Sequence, residues 1–265
     1  MMKRLLYSLM CVLGASCLSS CSFAELRHII DSKATYREPR QAFHFDYTPS
    51  QQSAPGSAGI TFAVVGSKFS GGTINLFKGF TDSMDKDFYE MLSARGFTVR
   101  GPYRSYDEIT FPDKKGSDLV LTANVECSED IDANHPNLYR TVRQRPPPAG
   151  NVTVFFMQGT IEYNCSVSLV VAESLTNERM WTKSVNTEPV SIEVSAPGWE
   201  QQEFSKPSLY ELLAQDSATY NKVGNALRAW YPTIMELSYT YLDPNEMAIV
   251  KQLAQEIRAK KVYAQ

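Results

Sequence analysis

Histidine is scarce in this chain: three in 265 residues, at His28, His44 and His135, far apart and without metal-ligand spacing. That leaves no His-Glu-x-x-His zinc site. Neither a Gly-x-Ser-x-Gly elbow nor a Walker loop is present. Gly66 to Gly72 (GSKFSGG) lies where phosphate-binding loops sit, but lacks their spacing and reads as a plain turn. With no legible nucleophile–base pair, the chain reads as non-enzymatic, with no cofactor and no metal site. A basic excess is also missing. Lys and Arg number 26 against 29 Asp and Glu, a net charge of −3, which argues against a nucleic-acid partner. Nor is there a long hydrophobic run. The apolar stretch from Leu5 to Ala15 is about a dozen residues, where a spanning helix needs about 20.

What is present begins with that stretch. Lys3 and Arg4 precede it, and small residues and a cysteine follow, the pattern of a removable secretory signal. Leu18-Ser19-Ser20-Cys21 resembles the bacterial lipobox, in which the cysteine thiol is acylated and becomes the first mature residue. Residues 1–20 are thus expected to be a lipoprotein signal peptide, and Cys21 the site of lipidation, palmitate included. The alternative is an ordinary signal cut near Ala24. Acyl chains add about 0.8 kcal/mol per buried methylene, so a multiply acylated Cys21 holds a leaflet without crossing it. Ser22 after the cysteine leans toward the outer membrane. Without Lys3 and Arg4 the mature chain carries a charge of about −5.

Five cysteines reduce to Cys127 and Cys165 after processing. Both fall on the apolar faces of alternating segments. Asp118 to Cys127 puts Leu119, Leu121, Ala123, Val125 and Cys127 on one side. Thr160 to Val171 does the same with Ile161, Tyr163, Cys165, Val167 and Leu169. If the two strands pair antiparallel, Cys127 opposite Cys165, the intervening excursion centres on Pro146-Pro147-Pro148. A cross-strand disulfide and two buried thiols acting as small hydrophobes both fit.

The remaining chain reads in order. Phe43, Phe45 and Tyr47 alternate with His44 and Asp46 as a short strand that Pro49 stops, inside a lipid-anchored tether over 21–58. Ile60 to Val65 is a buried strand. Ile74, Phe77, Phe80, Met84, Phe88 and Met91 form a helical stripe ended by Gly96, and Phe97 starts a parallel strand. Residues 106–115 are left unassigned because of Pro112. In the excursion, Val152 to Phe156 suits a strand. After a turn at Thr176-Asn177-Glu178, Met180 to Val185 forms a hairpin with the strand before it, continuing loosely to Val194. Ser208 opens a helical run through Leu213, Tyr220, Val223, Leu227 and Trp230, which Pro232 interrupts. Asp243-Pro244-Asn245-Glu246 caps a last helix, whose expected apolar face is Met247, Val250, Leu253, Ala254 and Ile257. Arg258, Lys260 and Lys261 sit in its final turn, where the helix dipole favours cations.

The fold class is therefore α/β (α+β): a single domain over 59–265 with a mixed β-sheet, helices packed on it and a C-terminal helical pair. Its strand–helix–strand start looks like TolB N-terminal domains.

Tyr139-Arg140-Thr141-Val142-Arg143-Gln144-Arg145 concentrates three arginines beside a stiff polyproline stretch. Arginine's planar fork matches a carboxylate. Read as a loop, the segment suits an acidic sugar or an acidic partner; the alternative is solvated loop charge.

The ordered segments Phe43–Pro49, Met91–Val99, Asp107–Phe111, Leu119–Glu126 and Ala172–Glu178 together resemble the neuraminyllactose-binding hemagglutinin family of bacterial surface lipoproteins, over about residues 40–195 and a helical tail. Phe43–Pro49 stands where that family has an Asn-Tyr-His-Pro type stretch, and Ala172–Glu178 where it has a Glu-Pro-Met-Ser-Gly-Glu turn. The family's sialic-acid-binding segment is a Lys-Arg-Thr-Ile-Gln-Lys run. Arg140, Thr141 and Val142 fit its centre, Tyr139 replaces the first lysine, and Arg143-Gln144-Arg145 keeps positive charge in place of the tail. The resemblance implies a non-enzymatic outer-membrane lipoprotein, an adhesin or hemagglutinin for sialylated host glycans, with Arg140, Thr141, Val142, Arg143 and Arg145 as the glycan-binding residues. The rival expectation is a periplasm-facing lipoprotein that docks on an envelope protein.

Overall fold

The computed structural model describes residues 38–130, 139–144, 152–201 and 216–262, together with 210, 213 and 214. Its centre is a seven-stranded mixed sheet. The strands are β1 (Thr61–Ser70), β2 (Thr98–Tyr103), β3 (Leu119–Asp130), β4 (Tyr139–Gln144), β5 (Val152–Glu173), β6 (Arg179–Asn186) and β7 (Val190–Gln201). The helices are α1 (Lys78–Ala94), α2 (Phe111–Gly116), α3 (Ser217–Tyr241) and α4 (Pro244–Val262). β1 lies between β2 and β3 and is parallel to both. β5 is antiparallel to β3, β4, β6 and β7.

The period of two seen in the sequence decides the layers. Leu119, Leu121, Ala123 and Val125 of β3 join Val167, Leu169 and Val171 of β5 in one core with the α1 stripe. All six residues of that stripe are buried. The opposite sheet face is polar along Thr122, Asn124, Glu126, Ser166 and Ser168. Among the described residues a small second cluster covers its corner: Ala63, Val65, Val120 and Ile109, with Tyr103 and Tyr106 against them. Ile109 of that corner leads into α2. Pro112 does not prevent the helix but sits in its first turn, where no N–H is needed, and Thr110 caps it.

Several expectations are corrected. β1 runs on to Ser70 in place of most of the supposed turn, and a 3-10 turn over Gly72–Leu76 takes the start of the supposed helix. Gly71 holds φ 99°, and a Cβ there would meet the Cys127 carbonyl oxygen at 2.2 Å. Phe43 to Tyr47 is extended and alternates as expected, but it pairs with no strand among the described residues. It is a strap instead. Phe45 packs edge-on against Phe80 at 5.2 Å and lies 5.5 Å from Tyr231. Asn221 accepts from Gln41 N–H, and its amide donates to the Pro39 carbonyl. The strands of the excursion and of Thr160–Val171 merge into one 22-residue β5. Pro232 does not end α3, which continues to Tyr241. Burial of Tyr231, Ile234 and Met235 on either side of it stabilises the turn that lacks a donor. α3 itself starts at Ser217, capped by Asp216, so the run from Ser208 is not one helix. On α4, Leu253 is 47% exposed and not part of the buried face. The leader, the Ser208 capping box and the proline triplet lie outside the described residues.

Candidate functional site

The arginine-rich segment is a strand, not a loop. As β4, Arg140 pairs with Phe156, Thr141 with Phe155, Val142 with Val154 and Arg143 with Thr153. Strand positions alternate between faces, so positions 140 and 143 fall on opposite faces of the ribbon. Arg145 and Cys21 lie outside the described residues.

Cys127 and Cys165 stand directly opposite in the β3–β5 register, as the spacing predicts, and both are buried thiols. Cys165 N–H donates to Thr187 Oγ1, and Thr187 N–H donates to the Cys165 carbonyl, both at 2.9 Å. Both backbone groups of Cys165 thus point away from β3. The cysteines form a non-hydrogen-bonded pair, the kind with the closer Cα atoms, about 4.5 Å. Contact with the Cys127 thiol and burial push the Cys165 thiol well above its ordinary range.

The polar face of the sheet carries a cavity of about 200 Å³, lined by Val65, Lys68, Tyr106, Thr122, Asn124, Val170, Ala172, Asn177 and Arg179. Its floor follows the register. Val65, Thr122 and Val170 form one row across β1, β3 and β5. Lys68 and Asn124 are paired in the next row on one side. Ala172 and Arg179 are paired in the next row on the other. Tyr106 stands as a wall, its Oη donating to the Ser174 carbonyl at 2.9 Å and its ring under the Lys114 ammonium at 3.8 Å. No carboxylate is among the described lining residues. Sequence reasoning missed this site. Thr122 and Asn124 were legible as an outward face, but Lys68 lay in a supposed turn and Arg179 at a strand end.

Among the described residues no group of three or more His, Cys, Asp or Glu is placed to hold a metal. Among them, too, no helix is long and apolar enough to cross a membrane.

No protein-family model matches the chain, and no curated protein does. The fold does match solved structures. One, assigned as a homolog of neuraminyllactose-binding hemagglutinin from Helicobacter pylori, superposes with a TM-score of 0.52 at 12% identity, covering 79% of this chain and 99% of that one. Lipoprotein GNA1162 from Neisseria meningitidis aligns at 0.25 and 19% identity, covering 63% and 99%. A minor lipoprotein from Acinetobacter baumannii aligns at 0.17 and 9%, covering 67% and 92%. At such identities the relation to the first is one of fold. The scores of the other two are too low to extend it.

Proposed function

We propose that this chain is a non-enzymatic lipoprotein, anchored in the outer membrane through an acylated Cys21, that acts as an adhesin for acidic, sialylated glycans. The observation that carries the reading is the fold shared with nearly the whole of the hemagglutinin homolog. The lipobox and the basic residues of an otherwise acidic chain support it. The ligand side is expected to be polar and wet, as sugar sites are, and the polar sheet face provides hydroxyl and amide groups for it. Protease shaving of intact cells tests the orientation. Cleavage of the domain while a periplasmic control survives is the expected result, together with binding to sialylated but not desialylated cells. Replacing Arg140, Arg143 and Arg145 by Ala is expected to abolish that binding, and unchanged binding overturns their assignment to the glycan.

A second reading rests on α4. Ile249 is 62% exposed, and Leu253, one turn on, is 47% exposed. Two apolar side chains four residues apart on one helix face suit a protein partner. Protection from the protease until the outer membrane is opened favours this periplasmic docking role over the adhesin.

A further inference from the structure

A second cavity, of about 500 Å³, opens at the start of α1, a size within the range of about 300–1,000 Å³ that small-molecule sites span. Its walls are aromatic. Phe77 and Tyr220 stack nearly parallel at 4.6 Å, and Phe43 of the strap meets Phe77 edge-on at 6.1 Å. Leu76 and Tyr210 extend the same lining. These walls are fixed in place by the fold. Phe43 sits in a notch at Gly224 of α3, where a Cβ would meet its ring at 2.1 Å. Asn221 Oδ1 accepts from Gln41 N–H at 2.9 Å. Arg40 donates to the Leu213 carbonyl at 2.8 Å, with its guanidinium 4.7 Å from the Tyr220 ring centroid. We propose that this pocket takes an acyl chain of an anionic phospholipid from the leaflet that holds Cys21, a second and non-covalent contact with the membrane. It rests on the acylated Cys21 of the proposed function.

Position, lining and charge favour lipid over a peptide. The strap, which lines the pocket through Gln41, Ala42 and Phe43, begins at Glu38 among the described residues, 17 positions after Cys21. A stretch of that length spans at most about 60 Å. An anchored chain therefore keeps the pocket within that distance of the leaflet, where the high local concentration of lipid fills even a weak site. The rings and Leu76 offer apolar surface to a hydrocarbon chain. Tyr210 lines the pocket while 43% exposed, an apolar ring with a polar tip of the kind enriched where membrane meets water. Lys78 is exposed in the lining, and no carboxylate is among the described lining residues. α1 starts with neither a side-chain cap nor an acidic residue in its first turn. On a chain of net charge −3 this local excess of positive charge suits the headgroup of an anionic lipid.

The test uses the full-length acylated protein in vesicles of phosphatidylcholine, with or without phosphatidylglycerol. Each vesicle carries a trace of phospholipid with a diazirine on one acyl chain, and adducts formed on photolysis are mapped by mass spectrometry. Adducts are expected on residues 41–45, 75–79 and Tyr220, at least fivefold above those on α4 around Ile249 and Leu253. Ala42→Trp fills the pocket from an exposed position. It should cut that labelling at least fivefold, with the melting temperature and flotation with vesicles unchanged. Lys78→Glu should remove the rise in labelling that phosphatidylglycerol brings. Labelling spread evenly, moved to α4 or undiminished by Ala42→Trp overturns the pocket and leaves the anchor standing. A photoreactive residue at position 42 that captures protein and no lipid in cells also overturns it, in favour of a peptide. Protein without an acyl group by intact mass, which does not float, overturns the anchor instead. Decanoate then probes the pocket by ligand-observed NMR: binding that Ala42→Trp removes upholds the acyl site, and no binding overturns it.

Discussion

Arg258, in the last turns of α4, reaches across the domain to form an ion pair with Glu173 at the end of β5, through Nε to Oε1. Its Nη2 also donates to the carbonyls of Ser117 and Asp118 at 2.9 and 3.0 Å, and to Ser174 Oγ at 2.7 Å. One side chain thus ties the C-terminal helix to the ends of β3 and β5. Glu173 is fully buried. It also accepts from Leu175 N–H at 3.0 Å and Thr176 N–H at 2.6 Å. The dipole argument for a cation near the end of α4 is correct in sign, but the partner is a carboxylate 85 residues away in sequence.

Arg258→Ala is expected to cost about 3–5 kcal/mol, because it strands a buried carboxylate. Glu173→Gln keeps the two backbone contacts and is expected to cost less. Urea denaturation of both variants checks the order.

The same site fixes one pH dependence. Burial alone raises the Glu173 carboxyl, but the N–H groups of Leu175 and Thr176 and the Arg258 guanidinium outweigh it and hold the group below its ordinary 4.5. A group lowered by folding contributes stability above its unfolded value and loses it as pH falls through its folded one. Wild type should therefore lose stability on acidification below about pH 4.5, more steeply than Glu173→Gln. Denaturation midpoints across that range check it.

Asp87 should show the opposite slope. It is buried in α1, accepts from Tyr231 Oη at 2.8 Å, and leaves Oδ1 without a partner among the described residues. Burial raises its carboxyl above 3.8, against the lowering effect of the Tyr231 hydrogen bond. A carboxyl raised by folding binds more protons in the folded state, so stability falls as pH rises from the unfolded value through the folded one. Asp87→Asn should remove that decline. The check is a stability profile that is flatter above pH 4 for the variant than for wild type.

Cys127 and Cys165 are expected to close a disulfide when the chain folds in an oxidising compartment. The bridge would span roughly 40 residues and, in the chain-entropy model, stabilise by about 4 kcal/mol. Denaturing alkylation with and without reductant, followed by intact mass, reports the bond. Two free thiols in protein folded under oxidising conditions would refute it.

The strap is the last prediction. Phe45→Ala removes a ring held between Phe80 and Tyr231 and is expected to cost about 3–5 kcal/mol. Limited proteolysis within residues 38–50 should accelerate along with the loss of stability.

What local pattern encodes was legible in the chain by itself. Alternation assigned both faces of β3 and β5 and the opposition of Cys127 and Cys165. The stripe from Ile74 to Met91 and the Asp243 cap, whose Oδ1 accepts from Asn245 N–H at 2.9 Å, followed from the helical period and from orphan N–H groups. Tertiary structure alone decided the rest. Glu246 had the spacing to complete a capping box, yet its carboxylate accepts from Trp181 Nε1 at 2.8 Å and Lys183 Nζ at 2.7 Å on β6. Pro232 had the chemistry to end a helix, yet burial on both sides carried α3 through it. Lys68 and Arg179, 111 positions apart in sequence, line one cavity only because β1, β3, β5 and β6 lie side by side. Periodicity reports which way a side chain points. Which distant group it meets depends on strand order and register, and these are settled by the burial of the whole sheet.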